Sequence, residues 1–118
     1  MDSHSQLAIV QKYERFIHYF YPVAQNIPKA HGVLREMFVR DMLHQVNLFI
    51  VAGKSNHIGR LYEADAGLAQ LRYWLRFMSH KDRKLLTHRQ HELGSIMLSE
   101  VGAMLGAWIA HKSNRKKV

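Results

Sequence analysis

Four stretches of this chain repeat apolar residues at three- and four-residue steps, the spacing of a helix buried along one side. In the first, Val10, Tyr13, Ile17, Phe20, Ala24 and Ile27 define the stripe. Ser3 or Ser5 can cap its start by accepting bonds from free backbone N–H groups. Pro22 falls inside the pattern and must kink the helix or remove a hydrogen bond. Pro28 suits the first turn of a second helix, where a missing N–H matters little. Val39, Met42, Leu43, Val46, Phe49 and Ile50 then predict a wide apolar face running toward Ala52, with Gly53 as the C-terminal cap. Ser55 is placed to cap a third helix at once, and so tight a turn predicts an antiparallel hairpin.

The third stretch buries Leu61, Ala64, Leu68, Leu71, Leu75 and Met78. A charged loop, SHKDRKLL, follows, and Thr87 with Gln90 three residues on forms a capping box for a fourth helix. Leu93, Met97, Val101, Met104, Leu105 and Trp108 supply that helix's core side. Ser95, Ser99, Gly102, Gly106 and Ala110 give it a second face of small residues, which fits packing within the bundle and a subunit interface equally. A basic tail, 112–118, is expected to be mobile. These elements predict an all-α, up-and-down antiparallel four-helix bundle in a single domain spanning 1–118.

Charge changes this picture from a plain bundle to one with a partner. Seventeen Lys and Arg against nine Asp and Glu give a net charge of +8, an excess that attracts polyanions such as nucleic acid or an anionic membrane surface. Cysteine is absent, which excludes disulfides, thiolate metal sites and cysteine nucleophiles. The N-terminal stretch lacks the pattern of a signal peptide, and the longest apolar window, near Leu48–Ala52, is far too short to span a bilayer. A soluble, cytoplasmic protein is the expectation, with no membrane role.

Catalytic signatures are missing. No HExxH, GxSxG, P-loop or GxGxxG motif occurs. Arg83 and His88 have the four-residue separation used by some four-helix-bundle ribonucleases of the HEPN type, but Lys84 replaces the polar residue expected after the arginine. His80, His88 and His91 lack a carboxylate to complete a metal set. No enzyme activity, cofactor or metal is expected. The strongest candidates for function are Arg72 and Arg76, four apart on one side of the third helix beside Tyr73, Trp74 and Phe77. Their alternative role is to pair with Asp65 or Glu63, or to reach past the aromatics to solvent. With Arg60 on the same helix and Lys54 at its start, they suggest a ladder of cations for phosphates, with Tyr73 or Trp74 as stacking surfaces.

The segments 13–38, 49–56 and 61–78, continued by EVGAMLGAWIA (100–110), resemble the accessory variability determinant (Avd) proteins of diversity-generating retroelements. The resemblance implies a four-helix-bundle protomer assembled as a barrel-like, ring-shaped homopentamer, without catalytic activity. It implies partners as well: the retroelement's reverse transcriptase and nucleic acid, template RNA together with DNA, in support of mutagenic cDNA synthesis and retrohoming. The family's paired arginines fall on Arg72 and Arg76 here. Four-helix-bundle proteins encoded in ribosomal RNA intervening sequences are the nearest alternative, and a HEPN-like ribonuclease a more distant one.

Overall fold

The computed structural model describes the backbone of residues 2–117 and the side chains of residues 4–114. Four helices carry the chain: α1 Asp2–Gln25, α2 Gly32–Lys54, α3 Gly59–Ser79 and α4 His88–Lys117, with a 3-10 turn at Lys29–His31. No strand occurs among the described residues. Each helix packs on the next, and α4 closes the square against α1. Short connections make every neighbour antiparallel, so the topology is the expected up-and-down bundle. It measures 52 × 21 × 20 Å.

The α3 stripe is buried as its spacing predicts, with Trp74 added to it. On α1 the buried line is Ile9, Tyr13, Phe16, Phe20 and Ala24, with Ile27 just beyond the helix, while Val10 and Ile17 pack along its flank. The Phe16 and Phe20 rings stack with centroids 4.6 Å apart. On α2 the core side is Phe38, Met42, Gln45, Phe49 and Ala52. Leu43 and Ile50, expected inside, are 46% and 36% exposed, because the helix is rotated to bring Gln45 inward. Leu98, Val101, Leu105 and Trp108 are the buried apolar side chains of α4, with Met97 and Met104 partly covered.

Two buried polar groups tie the helices together. The Tyr13 hydroxyl donates to the Met42 carbonyl at 2.6 Å. Burial, and secondarily the negative charge of Asp41, pushes this phenol far above its ordinary range. Gln45 Nε2 donates to the Ala64 carbonyl at 2.8 Å, and its Oε1 lies against Gly67, where no side chain intervenes. A neutral bond of this kind adds about 1 kcal/mol net, but it also specifies which helix faces meet.

The helix ends depart from expectation in several places. Gly53 does not terminate α2: no described glycine has positive φ, and the Gln6 side chain of α1 packs directly over Gly53 inside the helix. Ser55 is extended, and its hydroxyl accepts the His57 N–H at 3.0 Å, so it shapes the turn and leaves α3 to start at Gly59 without a side-chain cap. Pro28 precedes the 3-10 turn and not the first turn of α2. Helix α1 begins at Asp2, placing Ser3 and Ser5 inside it; the Ser3 side chain is outside the described residues. Pro22 sits exposed within α1, where water can serve the carbonyl its ring leaves free. Helix α4 continues through Lys117, across most of the expected tail, while Val118 and the side chains of 115–118 lie outside the described residues.

The α3–α4 turn is built by backbone bonds. Arg83 and Lys84 N–H groups donate to the His80 carbonyl at 2.9 and 2.8 Å, and Leu85 and Leu86 donate to Met78 at 2.8 and 3.2 Å. Lys84 closes it with φ 51, a left-handed conformation uncommon for a lysine. The predicted capping box is present in both halves: Thr87 N–H donates to Gln90 Oε1 at 2.9 Å, and Gln90 N–H donates to Thr87 Oγ1 at 3.0 Å.

Helix α4 is unusual for its outer side. The stretch His88–Asn114 is long and apolar enough to cross a membrane by length and composition, and most of its apolar part is not buried within the bundle. The most apolar stretch is therefore here and not near Leu48–Ala52. Part of that hydropathy comes from small residues: Ala103, Gly106, Ala107 and Ala110 are exposed along its outer side. Of the predicted small-residue face, Gly106 opens onto free space, whereas Gly102 is covered from within the protomer.

Candidate functional site

Arg72 and Arg76 are both exposed on α3. Four residues of helix set them about 6 Å apart along the axis and ~40° apart around it, so they share one side. Neither forms an ion pair with a described acid. Glu63 pairs with Arg60, Nη1 to Oε1 at 3.2 Å, so it is not the partner of Arg72 or Arg76. The two guanidinium groups keep their donor forks open to an external acceptor.

Each is positioned differently. The Arg72 guanidinium lies over α4 where Gly102 has no side chain; a Cβ built there would stand 2.6 Å from Nη2. Arg76 sits above the Tyr73 ring, 5.6 Å from its centroid, a cation–π contact at the last turn of α3. That turn also places its charge favourably against the helix dipole. Tyr73 is 44% exposed, which leaves half of a large amphipathic side chain beside the arginine pair.

Tyr73, Trp74 and Phe77 form a cluster with centroids 5.9 to 6.2 Å apart. Trp74, expected as a stacking surface, is buried, and its Nε1–H donates to Asp41 Oδ2 of α2 at 2.7 Å. Its role is to lock α3 to α2. Trp74 and Phe77 form one wall of a hollow of 530 Å³ whose other side includes Val33 and Met37 of α2. Both of these are exposed, Val33 by 74%. An apolar hollow therefore adjoins the Tyr73–Arg76 pair.

The predicted ladder does not form. Arg60 lies about 18 Å from Arg72 along α3 and ~120° around it, and its guanidinium is engaged by Glu63. Lys54 is exposed at the end of α2, next to the start of α3, roughly 25 Å of helix from the level of Arg76. A shared helix does not give a shared face unless the spacing returns to the same azimuth.

Arg83 also has a structural role. Its guanidinium stacks on the Phe77 ring at 3.8 Å, and Nε–H donates to the Phe77 carbonyl at 2.8 Å, clamping the loop onto the end of α3. His88 is exposed at the start of α4. No cluster of three metal-ligating side chains occurs among the described residues.

Two features escaped the sequence reading. Gly102 was legible only as a small residue, and nothing local announces that it makes room for Arg72. The second was visible as composition: from Arg72 to His91 six Lys and Arg stand against a single acid, Asp82. This carries +5 of the chain's net +8, concentrated where α3 ends and α4 begins.

Among known proteins, the model of the bAvd-like family matches residues 7–112. No curated protein matches the chain. Proteins of this family are accessory and non-catalytic. The match runs from the first turns of α1 to near the end of α4 and takes in the arginine pair, so the chain belongs to the bAvd-like family, related to the Avd accessory proteins of diversity-generating retroelements.

Proposed function

We propose that this protein is the accessory subunit that binds the retroelement's reverse transcriptase and its template nucleic acid, in support of mutagenic cDNA synthesis and retrohoming. The observation that carries the reading is the open Arg72–Arg76 pair beside half-exposed Tyr73. Arginine and tyrosine are the residue types that dominate protein–protein hot spots, and the apolar hollow next to them supplies area to bury. Family membership supports the choice of partner. The net charge of +8 supports RNA, and DNA, as polyanionic partners bound mainly through phosphates.

The protomer works as one unit of a ring-shaped homopentamer in the cytoplasm. Support for assembly comes from α4, whose outer side presents Ala103, Gly106, Ala107 and Ala110 to solvent where an isolated bundle would carry charges. The protein contributes binding surfaces to cDNA synthesis and leaves the chemistry to the polymerase.

Co-expression with the reverse transcriptase of a diversity-generating retroelement from the same genome tests the reading. The wild-type protein is expected to co-purify with the enzyme, and Arg72→Ala plus Arg76→Ala to lose it while keeping its helical content. Failure of the wild-type pair to associate would overturn the proposal.

A further inference from the structure

Six cations and three histidines from Arg72 to His91 do not form one uniform surface. They divide into two neighbouring areas of different chemistry. The first is the Arg72–Tyr73–Arg76 side of α3, bordered by the apolar hollow of Trp74, Phe77, Val33 and Met37. The second is the end of the bundle, where Lys81, Lys84, His88 and Arg89 are all exposed. Ser79, Lys81, Lys84, His88 and His91, with buried Leu86 at its floor, are among the residues lining a hollow of 440 Å³ there.

The second area lacks what a protein interface needs. Between Ser79 and Ser95 no large hydrophobic side chain is exposed: Leu86 is buried and Leu85 half-buried. Interfaces between proteins have an apolar centre and are depleted in lysine, and this end has lysines and no apolar centre. Two acids share this end, Asp82 and Glu92, both exposed, and they leave it cationic because Lys81, Arg83, Lys84 and Arg89 outnumber them. Lys81, Lys84 and Arg89 pair with no described acid.

We infer that the two areas divide the work: the end formed by the α3–α4 turn binds the phosphate backbone of the template RNA through Lys81, Lys84 and Arg89, and the Arg72–Arg76 side binds the polymerase. The inference rests on the proposed function and adds a location for each partner. A duplex carries one charge per ~1.7 Å of its axis, so an end face bounded by the 21 × 20 Å cross-section of the bundle spans several phosphates. Lysines suit this task because phosphate backbone contacts need charge and reach but no base-reading geometry. DNA shares that backbone and is expected to compete for the same end.

The test uses the full chain with two sets of substitutions, Lys81→Gln/Lys84→Gln/Arg89→Gln and Arg72→Ala/Arg76→Ala. Each variant is checked for helical content and assembly state against wild type. Binding is measured to a labelled stem–loop RNA over a range of salt, and to the reverse transcriptase by co-purification. The loop set is expected to lose RNA affinity by about tenfold or more, with the log–log salt slope reduced by about 2, and to retain the enzyme. The arginine set is expected to lose the enzyme and keep RNA affinity within about twofold. A DNA stem–loop of the same sequence should follow the RNA. Unchanged RNA binding in the loop set, or loss of the same partner by both sets, overturns the division. Absence of both partners from wild type overturns the proposed function itself.

Discussion

The guanidinium of Arg72 on α3 rests over Gly102 of α4, on a backbone surface that any larger residue would occupy. The contact explains both residues at once. A glycine in the interior of a long helix is about 1 kcal/mol less favourable than alanine, and this one makes space for an arginine held at the seam between two helices.

Gly102→Ala separates presentation from stability. The atom that a Cβ would meet is the far end of a flexible side chain, so Arg72 can swing away. Thermal unfolding should show a protein as stable as wild type or up to about 1 kcal/mol more stable. Association with the polymerase should weaken because Arg72 is displaced. Gly94→Ala provides the contrast: its Cβ would stand 2.7 Å from the Phe20 ring and 2.8 Å from Leu75, both buried. That substitution should destabilise the bundle by about 1–3 kcal/mol.

Tyr13 makes stability fall at alkaline pH. Its folded-state pKa is raised above the unfolded value of 10.0, first by burial and then by Asp41. The unfolded chain therefore loses this proton first as pH rises, and stability that is complete below pH 10.0 declines above it. Denaturant unfolding in parallel on wild type and Tyr13→Phe should show a smaller alkaline loss in the variant. At neutral pH the variant should be less stable by about 1 kcal/mol, the net contribution of the bond to Met42.

Trp74→Phe should cost about 1–3 kcal/mol, since it leaves the half-buried Asp41 carboxylate without its donor. A double-mutant cycle with Asp41→Asn should recover a coupling energy of the same sign. Coupling near zero would mean that the bond contributes nothing to holding α2 and α3.

Ala103→Glu tests assembly. The residue is exposed on the outer side of α4, so the substitution should leave the protomer folded. Light scattering should then report a mass near the 13.8 kDa of one chain. An unchanged assembled mass would place the subunit interface elsewhere.

Much of this architecture could be read from spacing alone. The α3 stripe and the Thr87–Gln90 box were legible because both are local: one depends on a 3.6-residue period, the other on two side chains three residues apart. What was not legible depends on residues far apart in sequence. Trp74 reads as a stacking surface until Asp41, 33 positions away, takes its N–H. Gly53 reads as a cap until Gln6 covers it from α1. Gln45 gives no sequence sign that it will replace Leu43 on the inner side of α2. At the site, the Arg72–Arg76 pair followed from a four-residue step, but Arg60 failed as a third member because twelve residues end about a third of a turn away.

The most direct measurement is the affinity of the purified reverse transcriptase for this protein and for its Arg72→Ala/Arg76→Ala variant. Circular dichroism and light scattering would establish that the variant is folded and assembled as wild type. The account predicts at least about a hundredfold weaker binding, the loss expected when two hot-spot arginines of ~1.5 kcal/mol or more each are truncated. An affinity within about twofold of wild type would contradict it.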